Sequence, residues 1–418
     1  MWIAQEIAVK TAFLLRAAAA VLCFAATPVI ARPASAPQLK VERVVMLMRH
    51  GIRPPTKPNV VPAGYTNEKW PSWPVDYGLL TPRGAAGVKL LGEADRFYYA
   101  TRGLFGPGCP DAGSVVLKAS GKQRAIRTAE SWGEGFMPGC PAAVSHPQDG
   151  EADPIFHGLD DQPAWFDGEQ ARREALALAP KGGIAAEEHA YRRDLLLLAH
   201  VLDCALPACQ ALAAPNRLVA VPHGRPELEG PLDIASTASQ TLLLEYLEGM
   251  PMKDVGWGRV SRAQIEQLLR FHPLKFRYSN RPDYVARAAA APIAKEIVMA
   301  LSGNTKLTLL AGHDTNIADL GGYLKLHWKV PSYPADDVPP GSALGFELVR
   351  DRKGDRYVRA FYRAQTMDQL RTLTPLTGKS APFRQHIPIA ECGNSVAATA
   401  CTWTSFQVLV EQRQPAAP

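Results

Sequence analysis

VERVVMLMRHGIRPPTKP, residues 41–58, is the stretch from which the fold is read. Its first eight residues are mostly β-branched or apolar, the composition of a central strand buried on both faces. The strand pattern stops at Arg49-His50-Gly51. Pro54, Pro55 and Pro58 then deny the chain a helix, so residues 49–57 are expected to form a loop at the strand's exit.

Working outward, Thr81-Pro82 reads as an N-cap followed by proline at the first helical position. Val88, Leu91, Ala94 and Phe97 are then expected on one buried helical face. Residues 115–119 read as a second strand, with a helix from about 123 to 132. The same order returns late, where LTLL at 307–310 runs into Ala311-Gly312-His313-Asp314, and Thr315 or Asn316 is expected to cap a helix carrying Ile317 and Leu320. Residues 344–349 and 357–362 flank Lys353-Gly354-Asp355 and read as a hairpin. This alternation predicts an α/β fold, a central and mostly parallel sheet with helices on both faces. Helical periodicity over 187–202, 233–249 and 261–271 predicts a smaller, mainly helical domain at 151–290, inserted between two parts of the α/β domain at 37–150 and 291–418.

Residues 1–36 are set aside as a leader. Lys10 and Arg16 precede an apolar run over 17–30, followed by the small residues Ala31, Ser35 and Ala36, the pattern of a secretory signal peptide. The run is shorter than the roughly 20 residues a spanning helix needs. Leu22 before Cys23 is too bulky for a lipoprotein cleavage site. Export to the periplasm or beyond is expected, with no membrane attachment once the leader is gone. Six cysteines would remain, Cys109, Cys140, Cys204, Cys209, Cys392 and Cys401, and an even count in an exported chain favours disulfides. Their clustering suggests three sequential pairs. A structural zinc site is disfavoured because no CxxC pair occurs.

The formal charge of +6 comes from scattered basic residues without a Lys/Arg block, which speaks against nucleic acid as a partner and for steering of small anions. At the first strand exit two guanidiniums, Arg49 and Arg53, flank the imidazole of His50, and Gly51 is expected to allow close approach of backbone to a ligand. At the second stand His313 and Asp314. Ligands in such sheets bind beyond the carboxyl ends of strands. Arginine's fork matches phosphate oxygens, and converging arginines repel one another unless an anion joins them. A neutral imidazole can attack phosphorus through one ring nitrogen while the other is held by a hydrogen bond. The leaving alkoxide then needs a proton, which a carboxyl group such as Asp314 can supply. A lone Arg-His-Gly or His-Asp means little by chance; the longer RHGxRxP string after one buried strand, with His-Asp after another, is a coherent site.

MRHGIRPPTKP at 48–58 and AGHDTNIADLGG at 311–322 resemble the two signature segments of the histidine acid phosphatases, in particular their bacterial phytase and glucose-1-phosphatase branch. The resemblance extends to WPSWPVDYGLLTPRG at 70–84, GCP at 108–110, DPIF at 153–156, GMP with GWGR at 249–259 and PPG at 339–341. It implies His50 as the phosphorylated nucleophile, Asp314 as proton donor, and Arg49, Arg53 and His313 as phosphate-binding groups. A further family arginine falls on Arg124, with Arg127 as the competing choice. Thr56, Lys57, Thr315 and His272 are candidate substrate contacts, although for Lys57 a solvated surface is an equal reading. The resemblance also implies a helical domain covering the site, disulfides Cys109–Cys140, Cys204–Cys209 and Cys392–Cys401, and chemistry without metal or cofactor; a monomer is expected.

Substrate choice is less legible. An inositol polyphosphate needs several cations beyond the reactive phosphate, and Lys275, Arg281 and Arg287 are candidates, whereas Ala289 stands where some phytases are basic. EYLEGMPMKDVGWG at 245–258 leans toward the glucose-1-phosphatase style. Phytate is the expected substrate by a small margin, a sugar phosphate or a broad range of monoesters the alternative. Two rivals of other kinds are a phosphoglycerate mutase, which the leader and His313-Asp314 oppose, and a noncatalytic phosphate-ester binding protein, which would need neither nucleophile nor acid.

Overall fold

The computed structural model describes residues 39–148, 151–159, 163–204, 214–392 and 399–415. In chain order the first elements are β1 (Lys40–Arg49), α1 (Pro82–Ala100), β2 (Val115–Ala119), α2 (Gln123–Phe136), β3 (Val144–Ser145), α3 (Gly168–Ala177), α4 (Gly183–Leu202), β4 (Arg217–Val219), β5 (Glu227–Glu229) and α5 (Pro231–Leu247). There follow α6 (Arg262–Leu268), α7 (Phe271–Ser279), α8 (Asp283–Ser302), β6 (Leu307–Gly312), α9 (Asp314–Tyr323), β7 (Ala343–Arg350), β8 (Arg356–Ala364), α10 (Met367–Thr372), β9 (Phe383–Ile387), β10 (Ala400–Thr402) and α11 (Trp403–Gln412).

The main sheet runs in the order β10-β8-β7-β1-β6-β2-β3, with β9 also paired to β8. β1, β6, β2 and β3 are mutually parallel, so their carboxyl ends open on one edge. From β1 outward through β7 and β8 the pairing is antiparallel, the hairpin at 344–362 included. β1 shows why the sheet is covered twice: Met46 and Met48 pack with Val88, Leu91, Ala129 and Trp132 of α1 and α2, while Val45 and Leu47 join the core that holds Ile297 of α8 and Ile317 and Leu320 of α9. A small second sheet, β4 with β5, belongs to the helix-rich segment, and α8 runs without interruption through residue 290.

Local signals placed α1 well. Thr81 Oγ1 accepts the N–H of Gly84 at 2.9 Å, and Pro82 opens the helix. Phe97, however, is 67% exposed and not part of the buried face. Three steps of three residues turn a helix by 900°, which carries Phe97 to the side opposite Val88. The helix after β6 also starts earlier than expected: His313 is its N-cap, and Asn316 reaches back to accept the His313 N–H at 2.9 Å. Asp314 is therefore the first residue of α9.

Two of the expected disulfides join Cys109 to Cys140 and Cys392 to Cys401. The third rests on Cys209, which with the leader lies outside the described residues. Among the described residues no helix is long and apolar enough to cross a membrane.

Glu245 of α5 is fully buried. Its Oε2 accepts the N–H of Gly256 at 3.0 Å, and Oε1 has no hydrogen-bond partner among the described residues. Gly256 holds a left-handed φ of 52°, and a Cβ there would meet Val260 at 2.8 Å and Leu242 at 2.9 Å.

Candidate active site

The parallel register puts the chemistry in one place. Arg49 lies opposite Gly312 and Ala119 opposite Ala311, so Arg49-His50, His313-Asp314 and Ser120 emerge side by side. The His50 N–H donates to the Gly312 carbonyl at 3.0 Å, and the His50 and His313 ring centroids are 5.7 Å apart. α2 starts just past β2, which brings Arg124, in its first turn, to the same edge. Thr128 fastens the two pieces together, accepting the Gly51 N–H at 3.0 Å and donating to the Arg124 carbonyl at 2.7 Å. Sequence reasoning missed this link, because a mid-helix threonine carries no signal by itself.

His50 is buried, and its Nδ1 lies 2.9 Å from the Gly51 carbonyl oxygen. A carbonyl only accepts, so Nδ1 carries the proton and Nε2 is left with its lone pair. Nε2 faces Arg53, whose Nε stands 3.4 Å away. Burial first, then the charges of Arg53, Arg124 and Arg49, hold the His50 imidazole well below its ordinary pKa, so it stays neutral in acid. The expected role of Gly51 is different in the fold. A Cβ there would meet the Gly84 carbonyl and Val88 at 2.9 Å, so the glycine lets α1 press against the loop instead of admitting a ligand.

Arg49 is 1% exposed and held on three sides. It pairs with Asp314 Oδ2 at 2.8 Å, donates to Gln240 Oε1 at 3.2 Å and donates to the Val338 carbonyl. Buried Arg49 Nε, Arg124 Nε and His313 Nδ1 have no hydrogen-bond partner among the described residues. Buried polar atoms without partners are costly, and guanidinium donors call for an anion. His313 Nε2 is 3.2 Å from Ser120 Oγ, which in turn lies 3.2 Å from His157 Nε2. Burial drives the His313 pKa down to about 3, so this ring too is neutral.

Asp314 differs from the expected ready-made acid. Burial alone would raise its pKa, but Arg49 and then His272 hold it well below the usual carboxylate range. His272, on α7, lies 3.7 Å from Asp314 Oδ2 through Nε2 and 2.6 Å from Asp337 Oδ1 through Nδ1. Arg49, Arg53, Thr56, Lys57, His272, Lys275, Asp314 and Thr315 line one cavity of about 290 Å³. Thr56 also lines an adjoining depression of about 730 Å³, with Lys122, Arg124, Arg127 and His146. Arg127 is on the exposed side of α2 and pairs with Glu130. Of the remaining candidates, Lys275 reaches the cavity with Asp233 as partner. Arg281 and Arg287 do not. Arg281 donates to the Leu326 carbonyl at 2.7 Å, and Arg287 to the carbonyls of residues 412–414. Gln240, Asp337 and Ser120 were not singled out from the sequence, although Asp337 stands two residues before the PPG run.

The sequence profile of the histidine phosphatase superfamily (branch 2) matches residues 40–363. The chain belongs to that superfamily, to its histidine acid phosphatases, and is a phosphate monoester hydrolase. Among its relatives are phytase AppA of Escherichia coli (strain K12), 32% identical over 93% of this chain and 96% of that protein, and a glucose-1-phosphatase of Salmonella typhimurium, 29% identical over 84% and 88%. The fold superimposes on Hafnia alvei phytase in complex with tartrate with a TM-score of 0.84 at 32% identity, covering 90% of this chain and 98% of the other. The same enzyme in complex with myo-inositol hexakis sulphate gives 0.83.

Proposed function

We propose that the chain is an exported acid phosphatase that removes phosphate from polyphosphorylated alcohols of the inositol phosphate kind through a phosphohistidine on His50. The observation that carries this is the pinned tautomer of His50: Nδ1 is committed to the Gly51 carbonyl, and Nε2 faces the arginine cluster. Nε2 attacks phosphorus, the ester P–O bond breaks, and the alkoxide leaves with a proton from Asp314. Water then attacks phosphorus, gives its proton to Asp314, and the P–N bond breaks to free phosphate. Arg49, Arg53, Arg124 and neutral His313 hold the phosphoryl oxygens, and Arg53, lowered by burial to about 9, still carries its charge in acid.

The helix-rich segment 151–290 acts as the cap that selects the alcohol, with Thr56, Lys57, Lys275 and Thr315 at its margin with the site. The cationic lining of the depression beside Arg124 supports a substrate with further phosphates. A glucose-1-phosphatase-like preference is the second reading. It is favoured by Arg281 and Arg287 turning to carbonyls and by Ala289, buried among Leu159, Val285 and Ala288. The leader pattern and the disulfides support a periplasmic or secreted location.

The test is initial rates on phytate, glucose 1-phosphate and p-nitrophenyl phosphate side by side, with EDTA present, for the parent and His50→Ala. Phytate is expected to give the highest kcat/KM, and the variant none. Turnover that persists in His50→Ala would refute the nucleophile, and a clear lead for glucose 1-phosphate would select the second reading.

A further inference from the structure

His272 stands between two carboxylates. Asp337, 1% exposed, is hydrogen-bonded through Oδ1 to Nδ1 at 2.6 Å, and Asp314 Oδ2, paired with Arg49 at 2.8 Å, lies within ion-pair distance of Nε2 at 3.7 Å. A neutral imidazole has one N–H and can serve one of them; an imidazolium serves both. The remaining contacts leave this demand in place. Asp314 Oδ1 takes the Thr315 N–H at 2.9 Å, Asp337 Oδ1 takes the Val338 N–H at 2.9 Å, and Asp337 Oδ2 has no hydrogen-bond partner among the described residues.

The other groups facing the ring do not supply a competing base. From β1 and its loop come Arg49, Arg53 and Lys57, and α7 itself adds Lys275, tied to Asp233. α5 presents uncharged Ser236, Thr237, Gln240 and Thr241. The loop carrying Asp337 also holds Tyr333, whose phenol burial keeps protonated. The two carboxylates are the groups that set the state of His272.

We propose that His272 is the positioning residue that stores the proton Asp314 delivers, with Asp337 holding the ring in place. This rests on Asp314 being the acid of the reaction. In the free enzyme Asp314 is ionised beside Arg49, so the proton for the leaving group has to come from somewhere. As the phosphoryl group is transferred, Nε2–H passes to the Asp314 carboxylate and the carboxyl proton goes to the departing ester oxygen, leaving His272 neutral. When water attacks the phosphohistidine, its proton passes to Asp314 and back to Nε2, and no proton is lost over the cycle. Burial opposes charge on His272, but hydrogen bonds to Asp314 and Asp337 outweigh it and raise its pKa above the ordinary imidazole value. The store therefore stays loaded well above the pH at which a lone carboxylic acid would be empty.

The test measures kcat against pH on glycerol 2-phosphate, whose leaving alkoxide needs a proton, and on p-nitrophenyl phosphate, whose phenolate hardly does. In His272→Asn the alkaline limb on glycerol 2-phosphate is expected to move down by about one pH unit or more, with roughly tenfold or greater loss at pH 6 beyond any loss on p-nitrophenyl phosphate, whose alkaline limb stays in place. Asp337→Asn should move the limb the same way, and it carries the test if the first variant does not fold. Equal losses on both substrates, or limbs that stay where they are, would overturn the proposal. Asp314→Asn separates the two layers. If it fails to discriminate between the substrates, the acid assignment itself falls; if it discriminates and the His272 and Asp337 limbs do not move, only the proton store falls.

Discussion

Replacing Glu245 by glutamine should make the protein more stable at neutral pH and leave it nearly unchanged in acid. Glu245 is buried with no ion partner among the described residues, and burial raises its pKa from 4.5 to about 8 against the one Gly256 N–H it accepts. In the unfolded chain the group ionises near its ordinary value, so at neutral pH folding must bind a proton. A raised folded pKa means that the contribution is complete below about pH 4.5 and is lost as pH climbs toward 8. At pH 7 the cost is about 3 kcal/mol, from roughly 1.4 kcal/mol per unit over the gap between the unfolded pKa and the pH. Glutamine keeps an oxygen for Gly256 and does not titrate. With an unfolding entropy of about 0.8 kcal/mol per kelvin for a chain of this size, the variant's Tm relative to the parent should rise by about 4 °C between pH 4 and pH 7. Thermal melts of both proteins at pH 4, 5.5 and 7 measure this directly. A Tm difference that is the same at all three would mean that Glu245 is ionised inside the fold.

Three other outcomes are expected. Arg124→Ala should cost about 3 kcal/mol of transition-state stabilisation, a hundredfold or more in kcat/KM on p-nitrophenyl phosphate, whereas Arg127→Ala, on the exposed side of α2, should stay within about threefold; steady-state kinetics on the pair decides. Glu347 has the opposite sign to Glu245: burial would raise it, but His386, Arg359 and Arg384 pull it down to about 2. Glu347→Gln should lose about 3 kcal/mol at pH 6 in urea melts, and the gap to the parent should close as pH falls from 4.5 toward 2. Gly51→Ala would put a methyl 2.9 Å from the Gly84 carbonyl and Val88, and should reduce both Tm and kcat as α1 and the His50 loop are forced apart, which melting and kinetics together detect.

What could be read from the chain alone is what depends on neighbours in sequence. A buried strand broken by Arg-His-Gly and three prolines, a threonine before a proline, and a second apolar strand ending in His-Asp are local patterns, and β1, α1, β6 and the presence of a helix after β6 follow from them. Even there, the side of α1 to which Phe97 points and the cap of α9 depended on exact helical geometry and on a side chain reaching back. The groups proposed as reactive could be picked out in the chain because phosphate chemistry demands unusual residue types at strand exits.

Only the folded chain decided how those groups are held and charged. Gln240 reaches Arg49 across 191 positions and Asp337 reaches His272 across 65, and no sequence pattern encodes which distant polar group will meet which. The rotation of α2 against the end of β2 buries much of Arg124 and leaves Arg127 more exposed and paired with Glu130, and Arg49 and His272 closing on Asp314 hold its carboxyl low. Electric fields and desolvation add up over everything packed nearby, so a protonation state is a property of the assembled pocket and not of the residue that titrates.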